Sequence, residues 1–294
     1  MGRMLAVHIG DSFITYGLCE EDGSFVEGSR QAVPSHSDGS AYDLINALGQ
    51  VLEPFQGQVG RVGVSVSCPF DYAHGVFHMT RKFSAMNGQG ISPIFLGLGM
   101  QPTYLNDSTA FLLGETLYGV ARQHPSCSGL MLGTSLGYAI SYKGKILVDD
   151  QDEPAIQLEK KPYHDGLVDD YVSRKAIRRE YHQLSGFPDL VDVDEINRRA
   201  EQGDFWARRV FNDVGTRIAT ALRTNIPRRL YGNVLVLGGK IAYASRFLAP
   251  PISNLLGIDV VQAQHVDDAV LRGTGAYLAR GREELVWTVE GRQE

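Results

Sequence analysis

Two stretches of this chain repeat one design. Residues 5–26, LAVHIGDSFITYGLCEEDGSFV, and residues 129–148, GLMLGTSLGYAISYKGKILV, each run as an apolar strand, a Gly-x-Ser bend, a second strand and a polar-Gly turn. The bends are Gly10-Asp11-Ser12 and Gly133-Thr134-Ser135, and the turns are Asp22-Gly23 and Lys143-Gly144. Apolar runs broken by small turn residues read as β-hairpins. One such hairpin would carry little, because glycine at a bend is usually only a route to positive φ. Two of them, each opening a succession of strands and helices, predict a duplicated α/β lobe with both bends facing a common cleft.

The remaining pattern agrees with that class. Apolar β-type runs recur at 4–9, 62–66, 129–132 and 234–237, and helical periodicity marks 40–53, 108–122, 167–184, 193–201, 204–226, 241–256 and 268–280. Strands alternating with helices argue α/β. At 294 residues with 43% hydrophobic content the chain is long for one core and comfortable for two lobes. The expected division is 1–120 for the first lobe, completed by the C-terminal helix near 278–294, and 121–277 for the second. The segment 143–166 has no clear period and reads as an irregular excursion.

Two further positions invite chemistry. Gly238-Gly239 follows the strand 234–237 and precedes a helical pattern, so backbone can approach a ligand where helix N–H groups favour anions. The helix at 108–122 opens on Asn106-Asp107-Ser108-Thr109. These four residue types all accept hydrogen bonds from a first helical turn, which makes Asp107 a cap. Equally, a strand ending in Asn106-Asp107 at the mouth of a sheet displays a carboxylate where a substrate sits. Sequence leaves both open.

Composition removes several classes. A net charge of −6 without a basic block offers little to nucleic acid or an anionic membrane. Cys19, Cys68 and Cys127 are odd in number and widely spaced, which fits free thiols in a reducing compartment. The opening MGRMLAVHIGDS turns polar too soon for a signal peptide, no apolar run approaches the ~20 residues of a membrane helix, and Ala6 stands where myristoylation after Gly2 needs Ser or Thr. A cytoplasmic protein is expected.

The order of these motifs resembles the ROK family of bacterial sugar kinases, within the two-lobed actin-like, hexokinase-like (ribonuclease H-like) ATPase fold. HIGDSF (8–13) stands at the family's first phosphate loop, VGVSVSCPFDYAHGVF (62–77) at its strand, Pro-containing bend and hairpin, and YLNDSTAFLLGE (104–115) at its Asn-Asp helix start. LGTSLGYAI (132–140) matches the second phosphate loop, VLVLGGKIA (234–242) the adenosine motif and DDAVLRGTGAYLAR (267–280) the closing helix. The resemblance implies ATP-dependent phosphorylation of a sugar hydroxyl with Mg²⁺ on the phosphates. Asp107 would be the general base and Asn106 would hold a neighbouring sugar hydroxyl. Gly10, Asp11 and Ser12, with Gly133, Thr134 and Ser135, would contact phosphates, and Gly238 and Gly239 would flank the nucleoside. A homodimer is compatible with the resemblance.

The chain also departs from the family. His8 replaces an Asp, Asp11 a Gly and Phe13 a basic residue. Two unit charges about 4 Å apart repel by ~4 kcal/mol at an effective dielectric near 20, so Asp11 beside a polyphosphate must turn away or meet the metal. A catalytically impaired sugar-binding or regulatory protein is the rival reading, although a strand beginning near Met4 disfavours a DNA-binding regulator. With no cysteine beyond Cys127 the family's structural zinc cannot be built. Asp169 falls where the family has a sugar-binding glutamate, a helix cap or solvated acid being the alternative, and Glu159 is the nearest counterpart of a second sugar ligand.

Overall fold

The computed structural model describes residues 2–289. It divides into two compact units, one of Met1–Tyr118, Lys145–Ala155 and Asp268–Glu294, the other of Gly119–Gly144 and Ile156–Asp267. The helical pattern at 268–280 is the helix Ala269–Arg280. Where a helix is expected near 278–294, the described residues hold the end of that helix, the four-residue helix Arg282–Leu285 and the strand Val286–Thr288, and residues 290–294 lie outside the described residues.

In the first unit five strands order as Gln31–Pro34, Phe13–Cys19, Met4–Ile9, Arg61–Val66 and Gln101–Asn106. The first three pair antiparallel, and the last two join Met4–Ile9 in parallel. Alternation along Met4–Ile9 sends Leu5, Val7 and Ile9 to a core beneath the helix Ala41–Leu52. Met4 and Ala6 go to the other face, against Leu271 and Leu278 of the helix Ala269–Arg280. That is the period of two of a sheet buried on both faces. Ser40 and Asp43 close a capping box at the start of Ala41–Leu52, satisfying its first N–H groups.

The helix Asp107–Tyr118 is buried on every side from Ser108 to Glu115. It lies against Ala269–Arg280 so closely that a Cβ on Gly114 would sit 2.0 Å from the Ala269 carbonyl oxygen, and one on Gly273 1.8 Å from that of Ala110. Only glycine permits this backbone approach. A short parallel pair, Lys145–Val148 with Val286–Thr288, also belongs to this unit. So part of the segment read as irregular is a strand, too brief at four residues to show a period.

In the second unit the strands order as Asp259–Gln262, Val234–Gly238, Cys127–Leu132 and Leu136–Tyr142, the first three parallel and the last antiparallel. The 21-residue helix Phe205–Asn225, capped by the Asp204 carboxylate on the Ala207 N–H, packs on Ser245–Leu256. Gly215 lets the two approach, since a Cβ there would lie 2.5 Å from the Leu248 carbonyl. Both units thus begin their sheet with a hairpin, as the sequence echo predicts, and in each the first strand takes a parallel partner on its other side. Among the described residues no helix is long and apolar enough to cross a membrane.

Candidate active site

Strand register assembles one cluster of candidate residues within the first unit. Ile9 pairs with Val66, and Val66 with Asn106, so three parallel strands end in one row and deliver Gly10 and Asp107 to the carboxyl edge of the sheet. Ligands of open α/β sheets bind at such edges.

At that edge Asn106, not Asp107, caps the helix. The Asn106 Oδ1 accepts the N–H groups of Ser108 at 2.8 Å and Thr109 at 3.2 Å. Its Nδ2 donates to the Tyr72 hydroxyl at 2.9 Å, which in turn donates to the Val66 carbonyl at 3.0 Å. Burial pushes the Tyr72 phenol well above its ordinary pKa against the opposing Asn106 bond, with Asp107 and Glu153 adding to the rise. Tyr72 therefore stays a neutral donor and acceptor. Asn106 itself is 2% exposed.

The Asp107 carboxylate is left for other use. It stands at the first residue of the helix, where the dipole favours an anion. Its Oδ2 lies 3.8 Å from the His8 Nε2, and the Ser108 hydroxyl approaches its Oδ1 at 3.4 Å. The His8 Nε2 is buried and makes no hydrogen bond. The ring lies close to the bend, since a Cβ on Gly10 would come within 3.2 Å of the His8 Cε1.

The first bend is held by one bond of its own backbone and two from Ser35. The Gly10 N–H donates to the Phe13 carbonyl at 3.1 Å, the Ser35 hydroxyl to the Asp11 carbonyl at 2.7 Å and the Ser35 N–H to the Ser12 carbonyl at 3.2 Å. Ser35 is fully buried, whereas Ser12 and Phe13 are exposed.

In the second unit the exposed pair Thr134-Ser135 is framed by one helical turn. The Asp169 Oδ1 accepts the Ser135 hydroxyl at 3.0 Å and the Leu136 N–H at 2.8 Å, and the Arg174 N–H donates to the Gly133 carbonyl at 2.9 Å. Gly238 ends the neighbouring strand, opposite Met131. Gly239 has φ 74°, and a Cβ there would sit 2.3 Å from the Leu132 carbonyl, so the fold demands that glycine for strand packing whether or not a ligand approaches it. Glu159 lies half-buried in the short 3₁₀ turn Leu158–Lys160.

The structure thus brings His8, Gly10, Asn106 and Asp107 together in one unit, and Gly133, Thr134, Ser135 and Asp169 in the other. Tyr72 and Ser35 were not legible as site residues. Each is a common residue in a loop or strand end, and its role exists only through a long-range contact. Among the described residues no group of three or more His, Cys, Asp or Glu side chains gathers to hold a metal ion.

No protein-family model matches the chain. The glucokinase of Thermotoga maritima is 23% identical over 314 residues, covering 94% of this chain and 97% of that protein. Among solved structures, a ROK family glucokinase from Streptomyces griseus in complex with glucose and AMPPNP superposes with a TM-score of 0.79 at 19% identity, covering 95% of this chain and all of the other. A putative N-acetylmannosamine kinase from Listeria monocytogenes gives 0.78 at 20% identity, covering 96% and 99%. The fold of this chain is that of the ROK sugar kinases, as the order of its motifs implies.

Proposed function

We propose that this chain is a kinase that transfers the γ-phosphoryl group of ATP to a hydroxyl of a hexose or amino-sugar, with Asp107 as general base. The observation that carries the reading is the division between neighbours at the strand end. Asn106 satisfies the helix N–H groups, so the adjacent carboxylate is not consumed as a cap. The likeness to glucokinases supports the substrate class.

In this reading Asp107 takes the proton of the sugar hydroxyl as its oxygen bonds to the γ-phosphorus, and the bond from that phosphorus to the ADP oxygen breaks. Such a base needs reach rather than a high pKa, because the hydroxyl becomes acidic as it bonds to phosphorus. His8 stands near enough to fix the carboxylate's orientation once substrate tightens the geometry. Asn106 keeps a second Nδ2 hydrogen beyond the one given to Tyr72, so it retains a donor for a sugar hydroxyl. Gly133, Thr134 and Ser135 are assigned to the terminal phosphates, with Gly10, Asp11 and Ser12, and Gly238 and Gly239 to the nucleoside. Glu159 is kept as a further candidate sugar ligand.

Mg²⁺ fits this residue set as a phosphate-bound ion. It retains water and needs only one or two carboxylates beside substrate phosphates, and Asp107 and Asp11 are the acids at the first bend. When bound it would offset the charge of the phosphates.

The test is purified protein with Mg²⁺-ATP and a panel of hexoses, amino-sugars and polyols, beside Asp107→Asn. Sugar-dependent ADP release that disappears in the variant supports the kinase. One observation favours a second reading: His8 and Asp11 make the first bend unlike a phosphate cradle. Sugar binding without turnover on every member of the panel would establish a sugar-binding regulator instead.

A further inference from the structure

The helical pattern of 167–184 is broken in the structure at Ser173, which is extended between the turn Asp169–Val172 and the helix Arg174–Ser185. A continuous helix would send the Arg174 N–H to the Asp170 carbonyl. Here it goes instead to Gly133, in the second glycine bend. The carbonyls released by the break are satisfied from elsewhere. Arg179 donates to the Asp170 carbonyl at 2.9 Å, and Arg217 of the long helix donates to that of Tyr171 at 3.2 Å while pairing with Glu180 at 2.7 Å. Breaking a helix leaves polar groups that must find partners, and two arginines supply them.

The product of this construction is a bend gripped at both shoulders. Gly133 is held through its carbonyl by Arg174, and Leu136 through its N–H by the Asp169 carboxylate, which also takes the Ser135 hydroxyl. Between those shoulders the N–H groups of Thr134 and Ser135 have no hydrogen bond to any described residue. Fixed, unpaired backbone donors at a small-residue bend are what an anionic oxygen needs.

We infer that Asp169 is a positioning residue of the nucleotide bend, acting through hydrogen bonds rather than by touching the sugar, and that it withdraws the Leu136 N–H so that Thr134 and Ser135 supply the donors for a terminal phosphate. The inference rests on the kinase reading and deepens it. An asparagine can accept both bonds through its amide oxygen, so Asp169→Asn should preserve the positioning that Asp169→Ala impairs.

The experiment compares wild type, Asp169→Asn, Asp169→Ala and Ser135→Ala in three readouts: ATP KM, sugar KM, and deuterium exchange of the Leu136 amide. Asp169→Ala should raise the ATP KM about tenfold, leave the sugar KM within about twofold, and speed Leu136 exchange roughly tenfold, as loss of two hydrogen bonds to a charged group implies. Asp169→Asn should stay within about threefold of wild type in all three, and Ser135→Ala should raise the ATP KM by an intermediate factor. A rise confined to the sugar KM in Asp169→Ala, or Asn and Ala variants equally impaired, overturns the inference while leaving the kinase standing. Should Asp169→Ala not fold, the Asn and Ser135→Ala pair carries the same comparison. Wild type that binds no ATP removes the kinase reading and this inference together.

Discussion

Asp107 and Asp169 each begin a helical segment beside a glycine bend, yet the two carboxylates are used in opposite ways. Beside the first bend Asn106 caps the helix, with two bonds to helix N–H groups and one to Tyr72. Asp107 is left with a near approach to His8 and a 3.4 Å bond from the Ser108 hydroxyl. At the second bend no asparagine intervenes, and Asp169 itself ties down Ser135 and Leu136. The availability of an acid is therefore decided by its neighbours: a carboxylate is open to substrate only where something else satisfies the helix or bend it adjoins.

The largest expected break in this comparison is Asp107→Asn. It should lower kcat by about 10²–10⁴ while the melting temperature shifts little, because the cap lies on Asn106; a large loss of Tm would show that Asp107 is structural after all. Next comes Asn106→Ala, the converse case. Removing the cap costs about 1–2 kcal/mol, read by calorimetry as a Tm lower by about 2–8 °C for a unit of this size. Ser35→Ala sharpens the contrast between bends: it leaves the Asp11 carbonyl without its side-chain donor, at about 1 kcal/mol, and should change the ATP KM less than Asp169→Ala does.

The smallest effect concerns acid. The hydrogen bond from Arg174, opposed by partial burial, holds the Asp192 carboxyl below its usual range. A depressed folded-state pKa gives stability that is present above the unfolded value near 3.9 and lost as pH falls through the folded one. Both side chains are about two-fifths exposed, so the pair contributes at most about 1 kcal/mol. Asp192→Asn should lower Tm by a degree or two at pH 7 and not at all once Asp192 is protonated; a deficit that persists in acid would assign the loss to capping of the helix Val193–Glu201.

Much of this arrangement was legible in the chain. The helix Val193–Glu201 falls on the periodic segment 193–201, and the strands at Met4 and Val234 fall on their apolar runs, because long patterned segments report which face is buried. The break at Ser173 was not legible, since what ends the helix there is an acceptor forty residues away in sequence, at Gly133. Gly239 shows the reverse problem: a glycine that reads as a ligand contact is already required by the Leu132 carbonyl. Asp107 illustrates a third case. Its polar cluster announces a cap, but which member performs it depends on Tyr72, far off in the chain.

The glycine contacts between Asp107–Tyr118 and Ala269–Arg280 bear on turnover itself. Main chain rests on main chain at two levels there, so the rod carrying Asp107 has no slack to slide or roll during a reaction cycle. In the proposed kinase Asp107 would therefore be a fixed datum against which the sugar is brought to bear, and any rearrangement during phosphoryl transfer would fall to other segments.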